Sequence, residues 1–149
     1  MSVWRPHYQK DIELLERVQR RALGLIEGFK DLRYEERLLR CNLTTLEVRR
    51  LRGDLIETFK LIRGFTDMDP GDFFEFSTTG LRGHNYKLFK PRVLTDVGKF
   101  AFSNRVVDHW NSLSYDVVNA GSVNSFKNRL DDEFKKGWGL NKQSCFLPL

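Results

Sequence analysis

A chain of 149 residues has room for one folded domain, and its 40% hydrophobic content with twelve Phe favours a globular fold over disorder. Cys41 and Cys145 form no C-x-x-C pair and indicate a reduced compartment. Because the sequence contains no long apolar run and no signal-peptide core, we expect a nuclear or cytoplasmic protein that is neither secreted nor membrane-spanning.

The net charge of +5 is distributed unevenly along the chain. Residues 64–79 contain four acidic residues and no basic ones, whereas residues 80–105 contain six basic residues and one acidic residue. A local excess of positive charge favours a polyanionic partner and carries no information about the fold. The segment 80–105 is therefore the first place to look for a binding surface.

Apolar residues recur at three- and four-residue spacing between about residues 10 and 27, which predicts an amphipathic helix ended by Gly28. The predicted core face of this helix consists of Ile12, Leu15, Val18, Ala22 and Leu25. A short helix is predicted over residues 34–40. Thr44 or Thr45 is then expected to cap a third helix that extends to about residue 62 or 63.

The motif Asp69-Pro70-Gly71-Asp72 is typical of a turn. Residues 85–97 are compatible with a short β-hairpin that is interrupted at Pro91. A fourth helix is predicted over about residues 99–113, and a last helix from a Ser122 cap to about residue 136. The expected fold is mainly α, with about five helices in one domain over residues 1–140 and a flexible tail over residues 141–149.

Motifs for catalysis are absent from the sequence. The three histidines are scattered, and no G-x-S-x-G, H-E-x-x-H, Walker or dinucleotide-binding motif occurs. The adjacent acids Asp131 and Asp132 belong to an amphipathic helical pattern, which favours a solvated helix face over a magnesium-binding pair. Cysteine and histidine spacing does not suit zinc. We therefore predict no enzymatic activity for the chain alone, no cofactor and no metal site.

Candidate phosphate contacts form two groups, because cationic side chains supply sequence-independent affinity for nucleic acids. The first group lies in the basic segment and consists of Arg82, Lys87, Lys90, Arg92 and Arg105. The second group begins the third helix and consists of Arg49, Arg50 and Arg52. The alternative for both groups is a basic surface that is solvated or paired within the chain.

The first predicted helix carries a further set of cations, Arg17, Arg20 and Arg21. These side chains could bind phosphates. They could equally pair with acidic residues at helical spacing, namely Glu13, Glu16 and Glu27. The number of nearby acids favours internal ion pairs for this set.

Several motifs follow one another in order along residues 3–136. They are Val3-Trp4-Arg5-Pro6, residues 11–22, Tyr34-Glu35-Glu36-Arg37-Leu38, residues 43–55, Arg82-Gly83-His84, Phe89-Lys90-Pro91-Arg92, residues 100–113 and Val123-Asn124-Ser125-Phe126-Lys127. This series resembles the thumb and post-thumb region that follows the catalytic palm in reverse transcriptases of non-LTR retrotransposons (LINEs) of the CR1/jockey kind. The family's catalytic F/Y-A-D-D turn, its fingers and palm, and its endonuclease are missing from this chain.

The resemblance implies a truncated, non-catalytic fragment of an RNA-directed DNA polymerase that contacts the RNA/DNA template–primer in the parent protein. The alternative is a helical protein–protein interaction module that does not bind nucleic acid and whose partner is the missing palm. Because a thumb packs on its palm, apolar residues left exposed, such as Ile12, Leu15 or Phe59, would favour self-association.

Overall fold

The computed structural model describes residues 6–78 and 83–137, and within these ranges the chain is helical with no β-strand. The helices are α1 (Gln9–Gly24), α2 (Tyr34–Arg40), α3 (Leu46–Ile62), α4 (Asp96–Phe100), α5 (Phe102–Arg105), α6 (Val107–Ser112), α7 (Tyr115–Val118) and α8 (Val123–Lys135), with a 3₁₀ turn at Pro70–Asp72. The predicted mainly α fold is confirmed. The tail predicted over residues 141–149 lies outside the described residues.

Side-chain caps set the beginning of α3 and of α8. The Thr45 hydroxyl accepts a hydrogen bond from the Val48 N–H at 3.4 Å, and the Ser122 hydroxyl accepts one from the Ser125 N–H at 3.1 Å. Both caps satisfy a backbone donor that has no partner inside its helix. The predicted beginnings of α3 and α8 are therefore confirmed, as are the bounds of α2.

The single helix predicted over residues 99–113 is wrong, because the structure divides this stretch into α4, α5 and α6. Ala101 has extended backbone angles (φ −57°, ψ 148°) between α4 and α5. This bend lets the Asn104 amide donate to the Gly98 carbonyl at 2.8 Å and the Arg105 guanidinium to the Phe100 carbonyl at 3.2 Å. Local bonds from side chains to backbone carbonyls thus replace the hydrogen bonds of a continuous helix.

The β-hairpin considered for residues 85–97 does not form. Within the described residues, Leu88 makes an isolated antiparallel bridge with Phe76 instead. The Phe89 N–H donates to the Glu75 carbonyl at 2.7 Å, and the Ser77 N–H donates to the Lys87 carbonyl at 2.9 Å. The pairing does not extend into a hairpin because the Leu88 backbone is bonded to a side chain of α6 and Pro91 has no N–H to donate.

The core surrounds α3, which contacts α1, α6 and α8. Phe59 of α3 is fully buried and stacks on Phe126 of α8, with ring centroids 4.2 Å apart. Trp110 of α6 is also fully buried. The predicted apolar face of α8 is buried as expected: Phe126, Leu130 and Phe134. The expectation that Phe59 could be an exposed residue is wrong.

Helix α1 packs with a different face from the one predicted. Leu23 is buried, whereas the exposed fractions of Val18 and Leu25 are 67% and 83%. The inner side of α1 is partly polar, because the Glu16 carboxylate accepts a hydrogen bond from the Leu46 N–H at 2.9 Å. This contact, at the beginning of α3, fixes the rotation of α1 and leaves part of its apolar row in solvent.

Residues 84–88 are fastened to α6 by hydrogen bonds that we call the α6 clasp, formed by His84, Tyr86, Leu88, Trp110 and Asn111. The Asn111 carboxamide accepts from the Leu88 N–H and donates to the Leu88 carbonyl, both at 2.8 Å. The Trp110 indole N–H donates to the Tyr86 carbonyl at 2.7 Å. These side chains supply residues 84–88 with the backbone hydrogen bonds that a neighbouring β-strand would otherwise supply.

His84 completes the clasp as a buried, neutral imidazole. The Tyr86 N–H donates to His84 Nδ1 at 3.2 Å, so the proton lies on Nε2, which is 3.0 Å from the Trp110 carbonyl oxygen. Burial lowers the pKa of His84, and the positive charge of Lys87 acts in the same direction, against the hydrogen bond to Trp110. The imidazole therefore has a role in packing and backbone bonding.

We expect Asn111→Leu, which has a similar volume, to lower the free energy of unfolding by about 2 to 4 kcal/mol, because two buried backbone groups of Leu88 lose their partner. Urea unfolding followed by circular dichroism measures this change. Asn128→Leu on the exposed side of α8 is the control and should change stability by less than about 0.5 kcal/mol. Equal effects of the two substitutions would contradict the role of the clasp.

Candidate nucleic-acid interface

A polar junction joins α1, α2 and the beginning of α3. The Tyr34 hydroxyl donates to the Glu16 carboxylate, and the Gln19 side-chain amide donates to the Tyr34 oxygen at 2.9 Å and to the Thr44 carbonyl at 3.2 Å. Burial, together with the bond to Glu16, raises the pKa of Tyr34 to about 12. Glu16 thus binds α2 and α3 and does not pair with the arginines of α1.

The arginines of α1 lack the ion pairs that their spacing favoured. Arg17 and Arg21 are exposed, and neither has a hydrogen-bond or ion-pair partner among the described residues. The Arg20 guanidinium lies over the Tyr34 ring, 4.7 Å from its centroid. Arg17 and Arg21 are therefore candidate phosphate contacts that sequence reasoning undervalued, because it could not know that Glu16 points into the junction.

The three arginines of the second predicted group, at the beginning of α3, have different surroundings. Arg52 forms a bidentate ion pair with Asp131 of α8, with Nε–Oδ1 and Nη2–Oδ2 distances of 2.6 and 2.9 Å, and the hydrogen bonds to Asp131 raise the pKa of Arg52. Arg49 points the other way and donates to the Gln19 side chain. Arg50 is half-buried and has no partner within the described residues.

Two lysines of the first predicted group attach the basic segment to α6. Lys87 donates to the Asn111 carbonyl, and desolvation lowers the pKa of Lys87. Lys90 forms an exposed ion pair with Asp108 of α6. Arg92 is exposed and has no partner in the part of the chain that the structure describes. Arg82 lies outside the described residues.

Arg105 is an internal anchor. Its Nε and Nη2 atoms each lie 2.9 Å from a carboxylate oxygen of Asp54, and the two side chains are only 9% and 1% exposed. The guanidinium also lies over the Phe102 ring, 5.7 Å from the centroid. This pair ties α5 to the middle of α3, so its geometry leaves the guanidinium little freedom to bind an external phosphate.

The cleft between α1, α2 and the beginning of α3, about 420 Å³ in volume, carries both signs of charge. Its charged lining residues are Glu13, Glu16, Arg17, Arg20, Glu35 and Glu47. A pocket with four carboxylates does not attract a polyanion. If nucleic acid binds here, it must bind on the outer surface, where Arg17 and Arg21 are exposed.

Comparison with protein families, with curated proteins and with solved structures finds no match. Among residues 6–78 and 83–137, no group of three or more His, Cys, Asp or Glu side chains could hold a metal ion. No helix in this part of the chain is both long and apolar enough to cross a membrane.

We expect Arg105→Met to lower the free energy of unfolding by about 3 to 5 kcal/mol, because it leaves the Asp54 carboxylate buried without its cation. Adding Asp54→Asn should recover part of the loss by removing the buried charge. Lys90→Met breaks an exposed pair and should cost less than about 1 kcal/mol. Urea unfolding compares the three variants, and a similar cost for Arg105→Met and Lys90→Met would refute the anchoring role.

Proposed function

We propose that the chain is a non-catalytic, thumb-like fragment of a retrotransposon RNA-directed DNA polymerase that holds template–primer nucleic acid without sequence preference. The proposal rests on guanidinium groups that have no hydrogen-bond or ion-pair partner among the described residues: Arg17, Arg21, Arg50 and Arg92. A free guanidinium can bind a phosphate through two parallel hydrogen bonds without first breaking an internal pair.

The resemblance of residues 3–136 to reverse transcriptases supports an RNA/DNA hybrid as the ligand to test first. In that family the polymerase chemistry belongs to the palm, which this sequence lacks. Binding without catalysis is therefore the proposed activity. Arg50 and Arg92 belong to the two groups predicted from the sequence, and Arg17 and Arg21 join them because of their exposure.

Replacing all four arginines by Gln should weaken binding to a labelled RNA/DNA hybrid more than tenfold at low salt. If each arginine contacts one phosphate, the slope of log Kobs against log salt concentration, which is negative, should become less steep by about 3 to 4. Fluorescence anisotropy at several salt concentrations measures both quantities. Hybrids of different sequence should lose affinity equally, because phosphate contacts do not read bases.

The matched control replaces four lysines that already form surface ion pairs, so that net charge changes by the same amount. These lysines are Lys60, Lys99, Lys135 and Lys136. The control should retain most of the affinity and of the salt slope. If both sets lose affinity equally, attraction by net charge alone explains binding and the assignment of these arginines is wrong.

A protein–protein interaction module is the second candidate, and the exposed face of α1 favours it. Leu14 and Val18 share one face of α1, and Leu25 directly follows the end of the helix; their exposed fractions are 51%, 67% and 83%. Apolar side chains at this spacing usually pack against another surface. In the family that the sequence resembles, that surface would belong to the palm, and in its absence a second copy could cover the row.

On this second candidate, the isolated chain should self-associate at micromolar concentrations, and Val18→Glu with Leu25→Glu should make it monomeric. Sedimentation velocity over a concentration series measures the association. Leu94→Glu with Val97→Glu is the control, because these residues are 91% and 86% exposed and do not belong to α1. A wild-type chain that is monomeric throughout, or equal effects of both pairs, would eliminate the candidate.

A further inference from the structure

His84 places a titratable group in the interior of the α6 clasp. The side chain is 1% exposed, and its ring meets the Trp110 indole edge-on, with ring centroids 5.7 Å apart and 75° between the ring planes. Both ring nitrogens are bonded to backbone groups, Nδ1 to the Tyr86 N–H and Nε2 to the Trp110 carbonyl. Histidine ordinarily changes its charge between about pH 5 and 8. The clasp therefore contains a group that mild acid can charge.

A proton on Nδ1 of His84 removes one bond of the clasp. Both nitrogens of an imidazolium ion are donors. Nδ1 lies 3.2 Å from the backbone nitrogen of Tyr86, so a protonated ring would place one N–H donor against another. These two donors cannot bond to each other, and each then needs a different acceptor. The ring and the backbone of residue 86 must therefore move apart.

The groups around the imidazole oppose a positive charge on balance. Burial is the largest effect and lowers the pKa of the ring; the positive charge of Lys87 lowers it further, whereas the hydrogen bond to the Trp110 carbonyl raises it. On α6, Asp108 is 67% exposed and paired with a lysine, and neither Asp108 nor His109 is bonded to the ring. From α8, the apolar ring of Phe126 packs on Trp110. The charged imidazole is therefore more stable in water than in the closed clasp.

Lys87 favours the same separation. Its ammonium group donates to the Asn111 carbonyl of α6, and desolvation lowers the pKa of Lys87. In the closed clasp, Lys87 and a protonated His84 are two cations held against α6 in a partly buried place. Water screens like charges more strongly than the protein interior does. Release of residues 84–88 therefore relieves the desolvation of both groups and the repulsion between them.

We propose that protonation of His84 releases residues 84–88 from α6, so that the α6 clasp is an acid-operated switch. Burial lowers the pKa of His84 in the closed clasp, so the opened clasp takes up the proton first. The closed clasp therefore has its full stability above the ordinary histidine pKa of about 6.5, and it loses stability as the pH falls through that value. The inference goes beyond nucleic-acid binding, because none of the four arginines assigned to that function belongs to the clasp.

Amide hydrogen exchange of the full-length chain, followed by ¹H–¹⁵N NMR, tests the switch. The Tyr86 and Leu88 amides donate to clasp side chains, so their protection factors report its opening. From about pH 7.5 to about pH 5.5, these protection factors, corrected for the intrinsic exchange rate, should fall about tenfold. The Phe59 amide in α3 reports global unfolding, and its protection should exceed that of Leu88 at both pH values. Unchanged protection of the clasp amides, or protection equal to that of Phe59 throughout, would overturn the proposal.

His84→Gln cannot gain a charge in this range, so the protection of Leu88 should change with pH by less than about twofold, whatever its level at neutral pH. His7→Gln is the matched control, because His7 is exposed, and it should keep the full fall. If His84→Gln does not fold, the imidazole ¹⁵N shifts of the wild-type chain decide, because ring protonation should accompany the loss of protection. A fall that persists in His84→Gln, or a protonated ring with the clasp amides still protected, would refute the switch.

Discussion

The attachment of residues 84–88 to α6 is the constraint on which the second half of the fold depends. This stretch has no flanking strand on the α6 side, so its buried backbone groups need other partners. Asn111 and Trp110 supply them through side chains, while His84 bonds back to the Trp110 carbonyl. Once the stretch is fixed, Leu88 can enter the core and pair with Phe76.

Much of the positive charge of residues 80–105 is bonded to other groups of the same chain. Arg105 is neutralised by Asp54 in the core, and Lys87 and Lys90 bond to α6. The same holds for Arg52, which links α3 to α8 through Asp131. A segment's net charge therefore overstates the charge available to a partner, since long-range ion pairs are invisible in the sequence.

Sequence signals within a few residues predicted the beginnings of helices, because local hydrogen bonds determine them. The caps at Thr45 and Ser122 and the four-residue spacing of α8 were sufficient to predict where these helices lie. The division of residues 99–113 was missed, because the apolar spacing of this stretch does not show that the Asn104 and Arg105 side chains bond to the Gly98 and Phe100 carbonyls across a bend at Ala101. The rotation of α1 was also missed. The Glu16 carboxylate, and not an apolar neighbour, occupies the inner side of α1, because it bonds to the beginning of α3.

The motifs that resemble reverse transcriptases contain many residues with structural roles in this chain. His84 and Trp110 belong to the α6 clasp, Thr45 caps α3, and Arg105 anchors α5. These residues stabilise the fold of this chain, so their presence in the motifs is no evidence for a binding surface. The proposed binding of nucleic acid would instead rely on side chains that the fold does not use. Arg17 and Arg21 meet that condition, because the Glu16 carboxylate bonds to the Leu46 N–H and not to them.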